Sequence, residues 1–429
     1  MNSPSQDTAP RSAIYVRAFN PSLRTYVYYS TLLGVFSAVL MIRVPFAIRL
    51  FDVIILTNVL LMLLLIKMDR IAPWVLWLML YLALSGGIGI VNGTDSISLV
   101  AKEFLGISVS LFYFYGFFKL IHNDFARAFL TYAKFAYWFA IIAFPLWAVS
   151  CIQIHGYQRL QGITSEPTAF CQLVLPAFYW YASQYFASRK HGLEVAVFTL
   201  AIVLSGSSNG YLCVAFGAIL LLSGRKKHLL AVPIVLGGLL GLVYAVSPDF
   251  QIRINDTLLA ATTEDVSGSN LSTYALISNM IVTQQVLKES PIIGNGLGSH
   301  PLSHEKFMGD VPGIQSFIDT GTSNLNAADA ASLTLRVLSE LGLLGYIGVV
   351  TFLIYFHVSG SGPRAAISNA ILVYFFLKLL RGGQYFDPEQ FFFIFIYIFN
   401  HRHFKREARA VDRLNSSRPS TAGMKLLED

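Results

Sequence analysis

FAYWFAIIAFPLWAVSCIQI, residues 135 to 154, runs for twenty residues without a charged side chain. That is the length a helix needs to cross the hydrocarbon core of a bilayer, ~20 residues for ~30 Å. Similar apolar runs recur along the 429-residue chain, of which only 13% is charged and 55% hydrophobic, against about 25% charged in soluble domains. The chain therefore reads as an all-α polytopic membrane protein. In such a chain a net charge of +7 does not point to nucleic acid, because Lys and Arg mark the cytoplasmic ends of spans.

Candidate spans are Tyr26–Ile42, Leu50–Ile66, Pro73–Val91, Ser98–Phe118, Phe129–Ile154 and Ala169–Ala187, then Leu193–Leu204, Tyr211–Ser223, Leu229–Val246, Leu333–His357, Ala366–Leu380 and Phe391–Phe399. They make about twelve transmembrane helices. The first span has no short apolar core of a cleavable leader before it and is expected to be retained. Alternate connections carry Lys67/Arg70, Lys119/Arg127, Arg189/Lys190, Arg225/Lys226/Lys227, Arg364 and the tail HRHFKREAR. The others, NGTDS, HGYQRLQG, GSSN, one long segment and RGGQYFDPEQ, are poorer in positive charge. The positive-inside rule then puts both termini in the cytoplasm. The expected organisation is a cytoplasmic tail over 1–24, a membrane domain over 25–400 and a cytoplasmic tail over 401–429. Within it, 247–331 forms one long extracytoplasmic loop. Irregular backbone cannot face lipid, so this loop must build a small structure of its own. LSTYALISNMIVTQQVLKES repeats Leu271, Tyr274, Ile281 and Leu287 or Val286 at near-helical spacing. Cys151, Cys171 and Cys213 read as small polarizable helix residues, although the first two sit close enough to meet on the outer side.

Polar residues in such a chain are the candidates for chemistry. Arg159 has two readings. It snorkels to headgroups, or it sits on the turn RLQGITSEP beside a helix begun by Pro167. In the second case Thr164 or Ser165 caps that helix, and its N–H groups and dipole face an anion such as a diphosphate. Glu166 is a helix-start carboxylate, a partner of Arg159, or a general base or orienter for a sugar hydroxyl. Arg336, near the outer end of its span, is functional by default, yet Glu340 one turn on offers it a structural pair. Asp329 reads as a cap for that same helix and as a residue near substrate. Arg253, Lys288, His300, His304 and Lys306 lie in the long loop, and spacing does not choose among them as phosphate ligands. SHPLSH lacks helical register and a third ligand for zinc. GNGLG, with Gly294 and Gly296, has no βα unit around it and is no dinucleotide fingerprint. Lys102/Glu103 and Arg49/Asp52 fall inside spans, as intramembrane pairs or as cavity-lining groups. No metal and no cofactor is expected.

Three stretches carry a resemblance. RLQGITSEPTAF looks like an arginine–glycine–proline turn ahead of a span. ESPIIGNGLGS is similar to a P-x-x-G-x-G-x-G turn in a large outer loop. ASLTLRVLSELGLLGYIG looks like the helix after that loop, with an ELGxxG core at Glu340–Gly345. Together they resemble the O-antigen polymerase and O-antigen ligase superfamily of bacterial membrane glycosyltransferases. The resemblance implies a GT-C-like fold in the inner membrane and catalysis by Arg159, Glu166 and Arg336. It also implies substrate contacts at Arg253, His300, Gly294, Gly296 and Asp329. The substrates it implies are undecaprenyl-diphosphate-linked oligosaccharides, with membrane lipids, a chain-length regulator and a flippase as partners. Many members have His-Asn where this chain has Ala331-Ser332, and Ser-Arg where it has Ser207-Ser208. Loss of that histidine tilts the resemblance from ligase toward polymerase, in particular toward xanthan-like exopolysaccharide polymerases. The rival outside the class is a lipid-linked oligosaccharide flippase or transporter, in which broken helices and repeats gather polar groups at the midplane.

Overall fold

A computed structural model describes residues 21–37, 41–43, 47–65, 72–121, 124–223, 237–238, 241, 244–245 and 248–416. Among the described residues the fold is helical apart from one short hairpin. Helix α1 (Pro21–Phe36) leads into strands β1 (Met41–Arg43) and β2 (Ala47–Arg49), which pair antiparallel with Ile42 opposite Ile48. Then follow α2 (Leu50–Leu65), α3 (Pro73–Val91), α4 (Ile97–Leu120), α5 (Phe125–Ile154), α6 (Pro167–Ser188), α7 (Gly192–Ser205) and α8 (Ser208–Ser223). The long segment after residue 247 holds α9 (Pro248–Thr263), α10 (Leu271–Glu289), α11 (His300–Phe307) and α12 (Gln315–Asp319). The chain returns through α13 (Leu333–Tyr355), α14 (Pro363–Leu380) and α15 (Pro388–Ser416).

Among the described residues, α3, α4, α5, α13 and α14 are long and apolar enough to cross a membrane, and α2, α7 and α8 are shorter apolar helices. The chain is membrane-embedded on that ground. The expected first span, Tyr26–Ile42, differs from what is observed: α1 stops at Phe36 and Met41–Ile42 belong to β1. A run of valine, leucine and isoleucine around residues 39–42 satisfies a strand as well as a helix. Most of the expected span Leu229–Val246 lies outside the described residues. The last helix does not end at Phe399 but continues to Ser416, through the segment expected as a tail.

Local chemistry explains the helix bounds. Pro73, Pro167 and Pro363 open α3, α6 and α14, where the missing N–H costs nothing. Side chains of Ser96, Asp124, Asn270 and Ser332 cap α4, α5, α10 and α13. Inside lipid, burying apolar surface does not drive helices together, so close packing must. The buried face of α5 accordingly includes Ala128, Ala133, Ala136, Ala140 and Ala143. Around α4 and α15 aromatic rings interlock, with Phe118 and Phe395 stacked at 5.8 Å and Tyr132 edge-on to Phe393 at 5.1 Å.

The charged connections sort to the two ends of this bundle. At one end Arg364 pairs with Glu407, Phe125 meets His403 at 5.2 Å, and Lys405 lies over Tyr355. At the other end lie Glu166, Arg381, Asp95 and the turn at Asn295, tied together by contacts described below.

This long segment has a core of its own: Ala260, Val266, Tyr274, Ile277, Ile281, Val311, Ile314 and Phe317. Tyr274 stacks on Phe317 at 3.8 Å, and its hydroxyl donates to the Ser323 carbonyl at 2.6 Å. The expected helix is α10. Its buried stripe uses Tyr274, Ile277, Ile281, Val282 and Val286, whereas Leu271 is 52% exposed at the first turn. At a helix start the chain enters from one side only, and the core does not reach that far.

Candidate functional site

Helix α13 is broken at Gly342, whose backbone (φ 64°, ψ −164°) is not helical. A break strands carbonyls on one side and amides on the other, and buried groups of this kind need partners. The ESPIIGNGLGS turn supplies them. Asn295 N donates to Ser339 O and Gly296 N to Glu340 O, both at 2.9 Å. Leu343 N and Leu344 N donate to Pro291 O and Ile292 O at 2.9 and 3.0 Å. Two of the three resemblance-bearing stretches are thus halves of one main-chain clasp. Gly294 (φ 66°) and Gly296 (φ 106°) are required by it. A Cβ on Gly294 would meet the Glu340 carbonyl carbon at 2.6 Å, and one on Gly296 would meet Gly89 Cα at 2.8 Å. Their faces are filled by protein backbone.

The clasp holds a buried charge cluster. Arg336, 1% exposed, lies 3.0 Å from Glu103 Oε2 through Nη2 and 3.0 Å from Glu340 Oε1 through Nε. Nη1 donates to Gly383 O at 3.2 Å, and the guanidinium lies 4.3 Å from the Tyr385 ring centre. The i+4 partner anticipated from the sequence is present; Glu103 of α4 and the 383–385 strand of chain are additional. With protein groups on every side, Arg336 positions α4, α13 and the α14–α15 connection. Asp95, in the turn between α3 and α4, packs beside the clasp, where Thr94 Oγ1 donates to Asn295 O at 2.7 Å. Burial, and then the carboxylates of Glu340 and Glu103, push the Asp95 carboxyl up to about 7, against a backbone hydrogen bond from Ser96 that holds it down.

His300 is fully buried, with Nδ1 2.8 Å from Ser339 Oγ and Nε2 2.8 Å from Asn279 Oδ1. The Asn279 amide nitrogen already donates to Ala275 O, so its oxygen faces the ring and Nε2 carries the proton. Burial, then the charges of Arg336 and His304, hold His300 well below the usual histidine range. It is a neutral packing group of α10, α11 and α13. Asp329 does not cap α13. Its Oδ1 accepts from Asn326 Nδ2 at 2.9 Å and Ala331 N at 3.2 Å, while Ser332 Oγ takes the cap position. Asp329 shapes the turn that puts Ala330 and Ala331 at positive φ. Arg253 falls on α9, but its side chain lies outside the described residues.

Arg159 occupies a separate corner. Nε donates to Ser205 O at 3.0 Å and Nη2 to Gly206 O at 2.8 Å, the last carbonyls of α7, where a cation meets the negative end of the dipole. Its guanidinium is anchored to these two carbonyls. It lines a cavity of about 230 Å³ with Trp147, Ser150, Gln158, Gln161 and Pro167. Neither Thr164 nor Ser165 caps α6: Thr164 Oγ1 donates to Gln161 O and Glu166 O at 2.7 and 2.9 Å. Glu166 takes the cap position without a side-chain bond. Its carboxylate, 45% exposed, points to Arg381, 3.8 Å away.

Arg381 was not singled out from the sequence, nor was the connection RGGQYFD that it begins. This connection is where the elements meet. Gln172 Nε2 donates to Arg381 O at 2.9 Å and Gly382 N to Ala331 O at 2.9 Å, while Gly383 and Tyr385 face Arg336 and Asp387 pairs with the buried Lys378. A Cβ on Gly383 would collide with Asp329 O. Two glycines directly after an arginine at a span's end were the available signal. The three resemblance-bearing stretches therefore converge at one end of the bundle, through the 290–296 turn and the 381–387 connection. Chemically, the start of α6 carries no side-chain cap and lies between the Arg159 cavity, which Pro167 lines, and the half-exposed Glu166 with its Arg381 partner. Compared with known protein families, curated proteins and solved structures, the chain matches none.

Proposed function

We propose that this chain is a membrane glycosyltransferase that polymerises undecaprenyl-diphosphate-linked oligosaccharide repeat units, as in exopolysaccharide or O-antigen synthesis. In this reading it has about twelve spans of GT-C-like arrangement in the bacterial inner membrane, with both termini cytoplasmic and the site at the outer face. The observation that carries the reading is the convergence of RLQGITSEP, the glycine turn and α13 at one bundle end beside a polar cavity.

A sugar hydroxyl of one lipid-linked unit attacks the anomeric carbon of the growing chain, and the lipid diphosphate leaves. Arg159, Arg381 and the start of α6 meet the charge that develops on the leaving group, a term worth roughly 3 kcal/mol for a single donor. Glu166, the carboxylate open to solvent, accepts the hydroxyl proton. Arg336 and His300 hold the scaffold.

The test is elongation by purified protein in vesicles that contain lipid-linked repeat units alone. Longer glycans should form without nucleotide sugar, ATP or an ion gradient, since the diphosphate bond supplies the driving force. Movement of units between leaflets without elongation would replace this reading by a flippase. Transfer of glycan only to added lipid A core would replace it by a ligase.

A further inference from the structure

Outside the residues just described, a groove of about 380 Å³ runs between α2 and α4. Its walls are Val59, Met62 and Leu63 on α2 and Leu105, Val109 and Phe112 on α4. Leu63 and Leu105 are 63% and 64% exposed, so the groove opens to the lipid. Gly116 widens it, because a Cβ there would find only the Met62 thioether, at 3.5 Å and beyond. From Leu105 to Lys119 the α4 wall extends roughly 21 Å at ~1.5 Å per residue, more than the ~15 Å depth of one leaflet.

One end of this apolar trough is charged. Lys119 closes it, its ammonium 4.8 Å above the Tyr115 ring. Among the described residues Lys119 forms no ion pair. The neighbouring Phe118 packs at a tilt against Phe399, ring centres 5.5 Å apart, just before the basic turns of α15. Lys119 thus lies at the bundle end where Arg127, Arg364 and Lys405 gather, away from Arg159 and Arg381.

We infer that this groove is a binding site for an anionic glycerophospholipid, with one acyl chain along α4 and the headgroup phosphate on Lys119. An apolar trough as deep as a leaflet takes a chain of that length. A cation with no ion pair among the described residues, at the mouth of the trough, favours a negative headgroup, by about 1 kcal/mol per lysine near a membrane surface. The inference is independent of the polymerase reading, since the groove shares no residue with the candidate site.

The experiment uses the full chain in neutral detergent, with bound lipid counted by native mass spectrometry. Phosphatidylglycerol, phosphatidylcholine, polyprenyl phosphate and inorganic phosphate are each titrated. Phosphatidylglycerol should be retained over phosphatidylcholine, and inorganic phosphate should not compete. Lys119→Gln should weaken the phosphatidylglycerol complex roughly fivefold and leave phosphatidylcholine unchanged. Gly116→Phe should fill the trough and abolish retention; Leu105→Trp, on the exposed wall, serves the same purpose without touching helix packing. Equal retention of both phospholipids, or retention of phosphatidylglycerol undiminished in Lys119→Gln, overturns the proposal. So does polyprenyl phosphate displacing phosphatidylglycerol, or full retention in Leu105→Trp.

Discussion

The amide of Gly296 donates to the carbonyl of Glu340 at 2.9 Å, while the Glu340 side chain, 3.0 Å from Arg336, faces the buried charges. One residue therefore joins the glycine turn to the ion cluster, through its backbone on one side and its carboxylate on the other.

Gly296→Ala should destabilise the protein by about 2–4 kcal/mol, because positive φ and a backbone collision coincide there. Gly87→Ala, where a Cβ meets nothing within 4 Å, should be neutral or slightly stabilising. Thermal unfolding in detergent compares the two. Equal midpoints would mean that the clasp opens at little cost.

Arg336→Met removes the cation and leaves Glu103 and Glu340 buried. Breaking a buried pair in this way costs about 3–5 kcal/mol. Adding Glu103→Leu should recover part of that loss, so the two changes are strongly non-additive. Additive midpoints would show that the two side chains do not share one network.

The raised Asp95 carboxyl gives a pH signature. Unfolded, it ionises near its ordinary value of 3.8, while folded it keeps its proton to about 7. Between those values the native state binds more protons, so stability is greatest below pH 4 for this group and falls as pH rises toward 7. The whole contribution is at most roughly 4 kcal/mol. In unfolding midpoints measured from pH 5 to 8, Asp95→Asn should flatten the decline; an unchanged slope would assign it to other groups.

Arg159→Ala should abolish elongation with protein level and insertion near normal, a loss of ~3 kcal/mol slowing turnover about a hundredfold. Arg159→Lys should recover only part. The planar fork reaches Ser205 O and Gly206 O together, and a single ammonium does not reproduce that geometry. Full elongation in Arg159→Lys would reduce the residue to a point charge.

Much of the scaffold was legible because single residues announce it. Charge-free runs opened by Pro73 or Pro167 mark helices, and the α13 span was placed within two residues of its observed end. Glu340 was recognisable as a partner of Arg336 because helical period alone brings i and i+4 together. Glu103 was not, since nothing local ties α4 to α13; only tertiary packing does. The same holds for Arg381, whose meaning depends on Glu166 and Gln172 across the bundle. Asp329 was read as a cap because aspartate favours that position, but Ser332 stands directly before the first helical residue and wins by placement. Gly294 and Gly296 were recognised as a special turn, while the backbone they admit belongs to a helix break at Gly342 that no proline marks.

The clasp at Gly342 is made of four bonds from main chain to main chain. It reads no side-chain code beyond its glycines. His300 adds one side-chain tie, to Ser339, so a recoding of the segment from Leu297 to Ala330 that keeps this histidine leaves the junction with α13 in place. A protein built this way can exchange the remaining surface of that segment while its membrane-embedded helices stay constant.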